Sequence, residues 1–106
     1  MSTYQKLTPA RQRLVKLMFQ VQFGLLRNLR ITRGQPDLGP ALEVVEDVKL
    51  DSQWEPRSEP QPDDFELKDQ VKKLFVELDR IGDGTLEELI IRHNLPFRFT
   101  FRRSSL

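Results

Sequence analysis

Two segments of this 106-residue chain are similar in sequence, and this internal similarity limits the folds that the chain can adopt. Residues 24–36 align with residues 84–96 at a constant offset of 60. The identical pairs are Gly24/Gly84, Leu26/Leu86, Leu29/Leu89, Ile31/Ile91 and Pro36/Pro96. Gly34 aligns with Asn94, and both residue types readily adopt a positive φ in a tight turn. The pattern predicts a duplicated structural unit.

An amphipathic helix is predicted before each of these segments. Thr8 and Pro9 are favourable as N-cap and first helical residue, and the helix should end near Gly24. Its apolar stripe is Leu14, Leu17, Met18 and Val21. For the second helix the predicted cap is Asp63 or Asp64, and the stripe is Leu67, Val71, Leu74, Phe75 and Leu78. The two stripes align at an offset of 57, which implies three inserted residues before the second strand.

Alternating apolar and polar residues predict a returning strand after each turn. Residues 41–50 are expected to form a half-buried strand. In the second copy Leu95, Phe97, Phe99 and Phe101 are expected to face the core, with Arg98, Arg102 and Arg103 outside it. The sequence therefore predicts a single α+β domain, in which two αββ repeat units (8–50 and 64–103) form an antiparallel sheet packed against two helices.

The junction between the first helix and the first strand has a recognisable pattern. Phe23-Gly24 is followed by alternating Leu25, Arg27, Leu29 and Ile31 and by a turn at Arg33-Gly34. In these residues the chain resembles the small bacterial YezD-type proteins, over residues 10–38 and more loosely over 65–101. The whole chain is also similar to short planctomycete proteins of unknown function. The resemblance implies a helix followed by a hairpin and supplies no activity.

The net charge of +1 conceals three regions of different charge. Residues 1–42 have seven basic residues against one acidic residue, residues 43–69 have three against ten, and residues 70–106 have seven against five. Within the acidic region, residues 51–63 contain three prolines, which remove backbone donors and favour extended conformations. We expect an acidic, proline-rich linker here. The alternative is that this linker folds back on the basic N-terminal half.

The composition argues against several classes of site. The chain has no cysteine and one histidine, His93, so we expect no disulfide, no thiolate or two-histidine metal site and no cofactor. No apolar run approaches the ~18 residues of a membrane span. The first six residues lack the apolar region of a secretory signal, so we expect a cytoplasmic protein. His93 is predicted in a solvated turn, and no Ser/His/Asp arrangement can be assembled, so no enzyme is predicted.

Residues 79–90 partly match two ligand-binding patterns. As a calcium loop they have Asp79, Asp83 and Gly84 at positions 1, 5 and 6, but Ile81 and Ile90 at positions 3 and 12 supply no oxygen ligand. A helix-turn-helix is the second alternative, with Thr85 as the cap of a DNA-reading helix. We favour a glycine-rich connection between a helix and a strand.

The leading functional hypothesis is a small non-enzymatic interaction module that binds a protein partner or a second copy of itself. The candidate contact residues are Trp54, Arg27, Arg30, Arg33, Arg98, Arg102 and Arg103. Trp54 either anchors the linker to the core or contacts a partner. The alternative is a nucleic-acid-associated protein that uses the same arginines. Phenylalanines interleaved with arginines favour this alternative, but strict alternation would place the two residue types on opposite faces of the strand.

Overall fold

Two helices and five strands form the part of the chain that the computed structural model describes, residues 3–48, 50 and 64–102. In chain order they are α1 (Pro9–Val21), β1 (Gly24–Thr32), β2 (Gln35–Asp37), β3 (Glu43–Glu46), α2 (Asp69–Ile81), β4 (Gly84–Arg92) and β5 (Leu95–Arg102), preceded by a 3-10 turn at Tyr4–Lys6. The strands form one antiparallel sheet with β1 and β4 at its centre. β5 pairs along β4, whereas β2 and β3 pair with successive parts of β1.

The core lies between one face of this sheet and the two helices. Its least exposed members come from both helices and both central strands: Leu14, Met18, Val21, Leu26, Leu29, Leu78, Leu86, Leu89 and Ile91. Burial of such side chains contributes about 1.5–3 kcal/mol each. The predicted α+β fold, an antiparallel sheet packed against two helices, is confirmed.

Both central strands depart once from regular alternation. Leu26 and Leu29 are both buried although they lie three residues apart. Asn28, at φ 59°, adopts the left-handed conformation between them. On β4 a bulge between Leu86 and Glu88 has the same effect. Each irregularity keeps two leucines on the core face.

The predicted helix boundaries are partly correct. Thr8 is the N-cap of α1, and its hydroxyl accepts a hydrogen bond from the Arg11 amide (3.3 Å). The helix ends at Val21, before Gly24, because Gln22 adopts a positive φ of 63°. The Phe23 amide then donates to the Val21 carbonyl (2.7 Å), which closes a γ-turn.

The predicted cap of the second helix is wrong. α2 begins only at Asp69, with Lys68 in the cap position. Asp64 instead accepts a hydrogen bond from the Gln5 amide (2.9 Å), and Asp63 lies outside the described residues. Leu67 precedes the helix and is nevertheless buried. The prediction that Leu67 is a core residue is confirmed, and its assignment to the second helix is wrong.

The offset of 57 between the helices is also wrong. α1 and α2 both have 13 residues, and their bounds differ by 60, the same offset as β1 and β4. No three-residue insertion therefore separates α2 from its strand. The predicted apolar stripe of α1 contained Leu17, whereas the buried residue of the helix at this level is Val15, and this difference shifted the alignment. The internal repeat itself stays a prediction.

The predicted strand over residues 41–50 is shorter and more exposed than expected. β3 has four residues, all exposed. Glu46 pairs with Gly24, the first residue of β1, so Val48 and Leu50 lie beyond the strand with which they would pair. Both side chains are exposed.

Residues 79–90 form the expected connection between a helix and a strand. α2 ends at Ile81, Gly82 and Asp83 connect the elements, and β4 begins at Gly84. The helix-turn-helix alternative is therefore wrong, since Gly84–Arg92 is a strand. The calcium-loop alternative also requires a helix after the loop, and a strand follows instead.

Candidate functional site

The sheet face opposite the helices is covered by no described helix, and we call it the open face. Its side chains form three rows across four strands, because residues that pair directly point to the same side of a sheet. The rows are Val45–Leu25–Ile90–Arg98, Glu43–Arg27–Glu88–Thr100 and Asp37–Arg30–Thr85–Arg102. This grid brings together four of the seven candidate contact residues.

The four arginines lie in two columns on either side of β4. Arg27 and Arg30 belong to β1, and Arg98 and Arg102 belong to β5. All four are exposed. The expectation that Arg98 and Arg102 lie outside the core face is confirmed. In the sequence, the β1 pair and the β5 pair of arginines have only their positive charge in common. The pairing of β1 and β5 with β4 places all four on one surface.

Two of these arginines form ion pairs. Arg27 Nε lies 3.7 Å from a Glu88 carboxylate oxygen, and Arg102 Nε donates to Glu87 (3.0 Å). Exposed pairs of this kind contribute at most about 1 kcal/mol. Within the described part of the chain, Arg30 and Arg98 have no ion pair, so their guanidinium groups are available to a ligand.

Phe97 corrects the prediction for the last strand. The register of β5 against β4 shifts between Ile90 and Ile91, and the extra residue is Phe97. Pro96 is buried in its place, whereas Phe97 is 55% exposed. The guanidinium carbon of Arg92 lies 4.2 Å from the centroid of the Phe97 ring, within the range of a cation–π contact. Phe99 and Phe101 remain half-buried against the core.

An apolar strip crosses the middle strands of the open face. Leu25 and Ile90 pair across the central strands, and Val45 pairs with Leu25 from the edge. Leu25 and Ile90 are half-buried and Val45 is 41% exposed. Arginines and acidic residues surround this strip. An apolar centre with a charged rim is the usual arrangement at protein interfaces.

Of the three other candidate residues, Arg33 alone is among the described residues, and it lies apart from this surface. Arg33 is in the β1–β2 turn, where its backbone amide donates to Asp83 Oδ1 (3.0 Å). Trp54 and Arg103 lie outside the described residues, as does the predicted linker 51–63. His93 is exposed in the β4–β5 turn as expected, and its ring contacts the edge of Phe23 with centroids 4.8 Å apart.

The sequence reasoning missed Arg92 and Phe97 as members of the surface. Strict alternation assigned Phe97 to the core, and a bulge reverses that assignment for a single residue. Pro96 was the available signal, because proline within a sheet is confined to edge strands, strand starts and bulges.

Neither a metal centre nor a membrane span is found in the described residues. No group of three His, Cys, Asp or Glu side chains there could hold a metal ion. Neither described helix is long and apolar enough to cross a bilayer.

Comparison of the chain with protein-family models, with curated proteins and with solved structures finds no match. The resemblance to YezD-type proteins therefore stays a prediction.

Proposed function

We propose that the protein is a small non-enzymatic interaction module that binds a protein partner through the open face. The observation that carries this proposal is the apolar strip of Val45, Leu25 and Ile90 within a charged rim. Five arginines and four acidic residues surround it: Arg27, Arg30, Arg92, Arg98, Arg102, Asp37, Glu43, Glu87 and Glu88. Both signs of charge favour a protein partner, because a protein surface can offer acidic and basic groups to both, whereas a polyanion offers partners to the arginines alone.

Affinity capture from native lysate tests this proposal, with and without nuclease treatment. We expect a protein partner that survives nuclease and is lost in the double variant V45T/I90T, in which two apolar contacts become polar and residue 90 also loses a methyl group. The matched control is Val76→Thr, because Val76 is 64% exposed on α2, away from the sheet. Equal capture by both variants would contradict a role for the open face.

A second candidate function is binding of single-stranded nucleic acid, and Phe97 is the observation that favours it. Its ring is exposed beside Arg92 and next to Arg98 in sequence, and stacking aromatics with arginines are typical of such surfaces. Fluorescence polarisation with a labelled oligothymidine at low salt tests this candidate. Binding that weakens strongly in Phe97→Leu, and with rising salt, would support it.

Self-association, a cytoplasmic setting and the internal repeat are further parts of the proposal. Light scattering across concentration tests the first, and a strictly monomeric protein would contradict it. Cell fractionation tests the second.

The repeat is supported by the common offset of 60 for α1/α2 and β1/β4. It is also supported by two equivalent γ-turns, Phe23 to Val21 (2.7 Å) and Asp83 to Ile81 (2.9 Å).

A further inference from the structure

The outer edge of β5 is unpaired within the described part of the chain. β5 stands last in the strand order and pairs only with β4. An edge strand presents unpaired backbone N–H and C=O groups to which another strand can add. At eight residues, β5 is twice as long as β3 on the opposite side of the sheet.

The two ends of β5 differ in their capacity to accept a strand. Pro96 has no backbone N–H, and the bulge at Phe97 breaks the regular pairing. Both features protect an edge against unspecific pairing. The protected part ends there, because no irregularity of β5 itself follows between Arg98 and Arg102.

The side chains of residues 98–102 present two different surfaces to an added strand. Arg98, Thr100 and Arg102 point to the open face, whereas Phe99 and Phe101 point to the helix side and are half-buried. An added strand would therefore place alternate side chains beside arginines and beside phenylalanine rings. Apolar side chains would complete the cover of the two rings.

The pattern Arg-Phe-Thr-Phe-Arg is the same in both chain directions. In an antiparallel pair of two β5 strands centred on Thr100, Arg98 would therefore lie opposite Arg102 of the second copy. Like charges directly opposite each other are destabilising. The strand thus disfavours pairing with itself, and it matches a strand with acidic residues at those positions.

We propose that the segment Arg98–Arg102 binds an acidic, extended peptide segment of another protein as an additional antiparallel strand. The recognised pattern is acidic–apolar–any–apolar–acidic, with apolar side chains facing Phe99 and Phe101 and carboxylates facing the two arginines. Arg98 has no ion pair in the described part of the chain, and Arg102 would exchange its exposed pair with Glu87 for the added carboxylate. This inference rests on the proposed function as a protein-interaction module and names the chemistry of the partner.

A labelled heptapeptide, Ser-Glu-Val-Thr-Val-Glu-Ser with blocked ends, tests the inference on the full chain by fluorescence polarisation. The control peptide has lysine in place of both glutamates. We expect the acidic peptide to bind about tenfold more tightly than the control, since two opposite-charge pairs replace two like-charge pairs. Amide hydrogen exchange should slow at residues 98–102.

The double variant R98E/R102E should reverse this preference and bind the lysine peptide. The matched control R13E/K16E makes the same change of charge at two exposed basic residues of α1, outside the open face and away from β5, and should leave the peptide affinity unchanged. Equal affinity for both peptides, or equal loss in both double variants, would overturn the inference. Oligothymidine binding that is lost in R98E/R102E, with no peptide binding, would also overturn it in favour of a nucleic acid.

Failure of this inference can be told from failure of the proposed function. The V45T/I90T variant leaves residues 98–102 intact, so peptide binding should persist in it. Capture of a partner that depends on Val45 and Ile90, without any peptide binding, would retain the open face as the interaction surface and reject only the added strand.

Discussion

The backbone amide of Gly34 donates a hydrogen bond to the carbonyl oxygen of Gly82 at 2.8 Å, and thereby joins the first hairpin turn to the end of the second helix. The residues that correspond at the offset of 60 make the same contact, since the backbone amide of Asn94 donates to the carbonyl of Gln22 at 3.0 Å. Each half of the chain thus contributes the turn that completes the helix end of the other half. Carbonyl groups at helix ends lack partners within the helix, so these contacts satisfy two of them.

Replacing Gln22 by glycine should stabilise the protein. Gln22 has φ 63° and ψ −59°, a conformation that is strained for a residue with a Cβ, and Gly82 has the equivalent place at φ 73°. Relief of this strain, less the added entropy of the unfolded chain, should give about 0.5–1 kcal/mol. Urea unfolding measures the change. The reciprocal variant Gly82→Gln should be less stable than the wild type, and a stabilised Gly82→Gln would contradict the assignment.

Asn94 should be sensitive to substitution in two separable ways. Its side-chain amide donates to the Phe19 carbonyl (2.5 Å) in the last turn of α1, and its φ is 66°. Asn94→Gly keeps the backbone conformation and should lose about 1 kcal/mol for the hydrogen bond. Asn94→Ala should lose about 1 kcal/mol more, because alanine disfavours a positive φ. Thermal unfolding of the two variants distinguishes these contributions, and equal stability would show that the backbone conformation has no cost.

Arg11 should be more important for stability than any exposed arginine of α1. Its side chain is only 13% exposed, and Nη2 donates both to the Gly34 carbonyl (2.9 Å) and to Asp79. The guanidinium also lies 4.9 Å from the centroid of the Phe75 ring. Arg11→Ala should cost about 1–3 kcal/mol in chemical denaturation. The exposed Arg13 serves as control, with a change within about 0.5 kcal/mol, and similar losses in both variants would refute the prediction.

The bulge at Phe97 predicts different costs for two phenylalanines of the same strand. Phe97→Ser removes an exposed ring and should cost less than about 1 kcal/mol. Phe101→Ser removes a ring that packs against Gly84, and should cost about 2 kcal/mol. Differential scanning calorimetry of both variants tests this order. A larger loss for Phe97→Ser would place Phe97 in the core, as strict alternation had predicted.

The elements that repeat a simple period over many residues were predictable from sequence. Helical spacing located α1 and α2, and alternation located β4 and β5, because burial of one face determines these patterns. Single-residue departures were not predictable in this way. Asn28 and Phe97 each change the side to which neighbouring residues point. α2 starts late, at Asp69, and before it Asp64 and Leu67 make tertiary contacts in place of a helical turn.

The candidate surface was predicted in its residue types but not in its arrangement. Arg27 and Arg98 are 71 positions apart in the sequence, and only the pairing of β1 and β5 with β4 places them on one face. Periodicity within a strand determines which side a residue faces, and carries no information on which strands become neighbours. The order of strands in the sheet therefore had to come from the structure.

The reciprocal turn contacts have a consequence for synthesis of the chain on the ribosome. When residues 1–48 have emerged, the apolar face of β1 lacks its neighbour β4, and the carbonyl of Gln22 lacks the amide of Asn94. Nascent chains emerge from their N-terminus at about 5–20 residues per second. The first half therefore waits several seconds for the second half, with β1 paired to β2 and β3 along one edge and open along the edge that β4 will occupy.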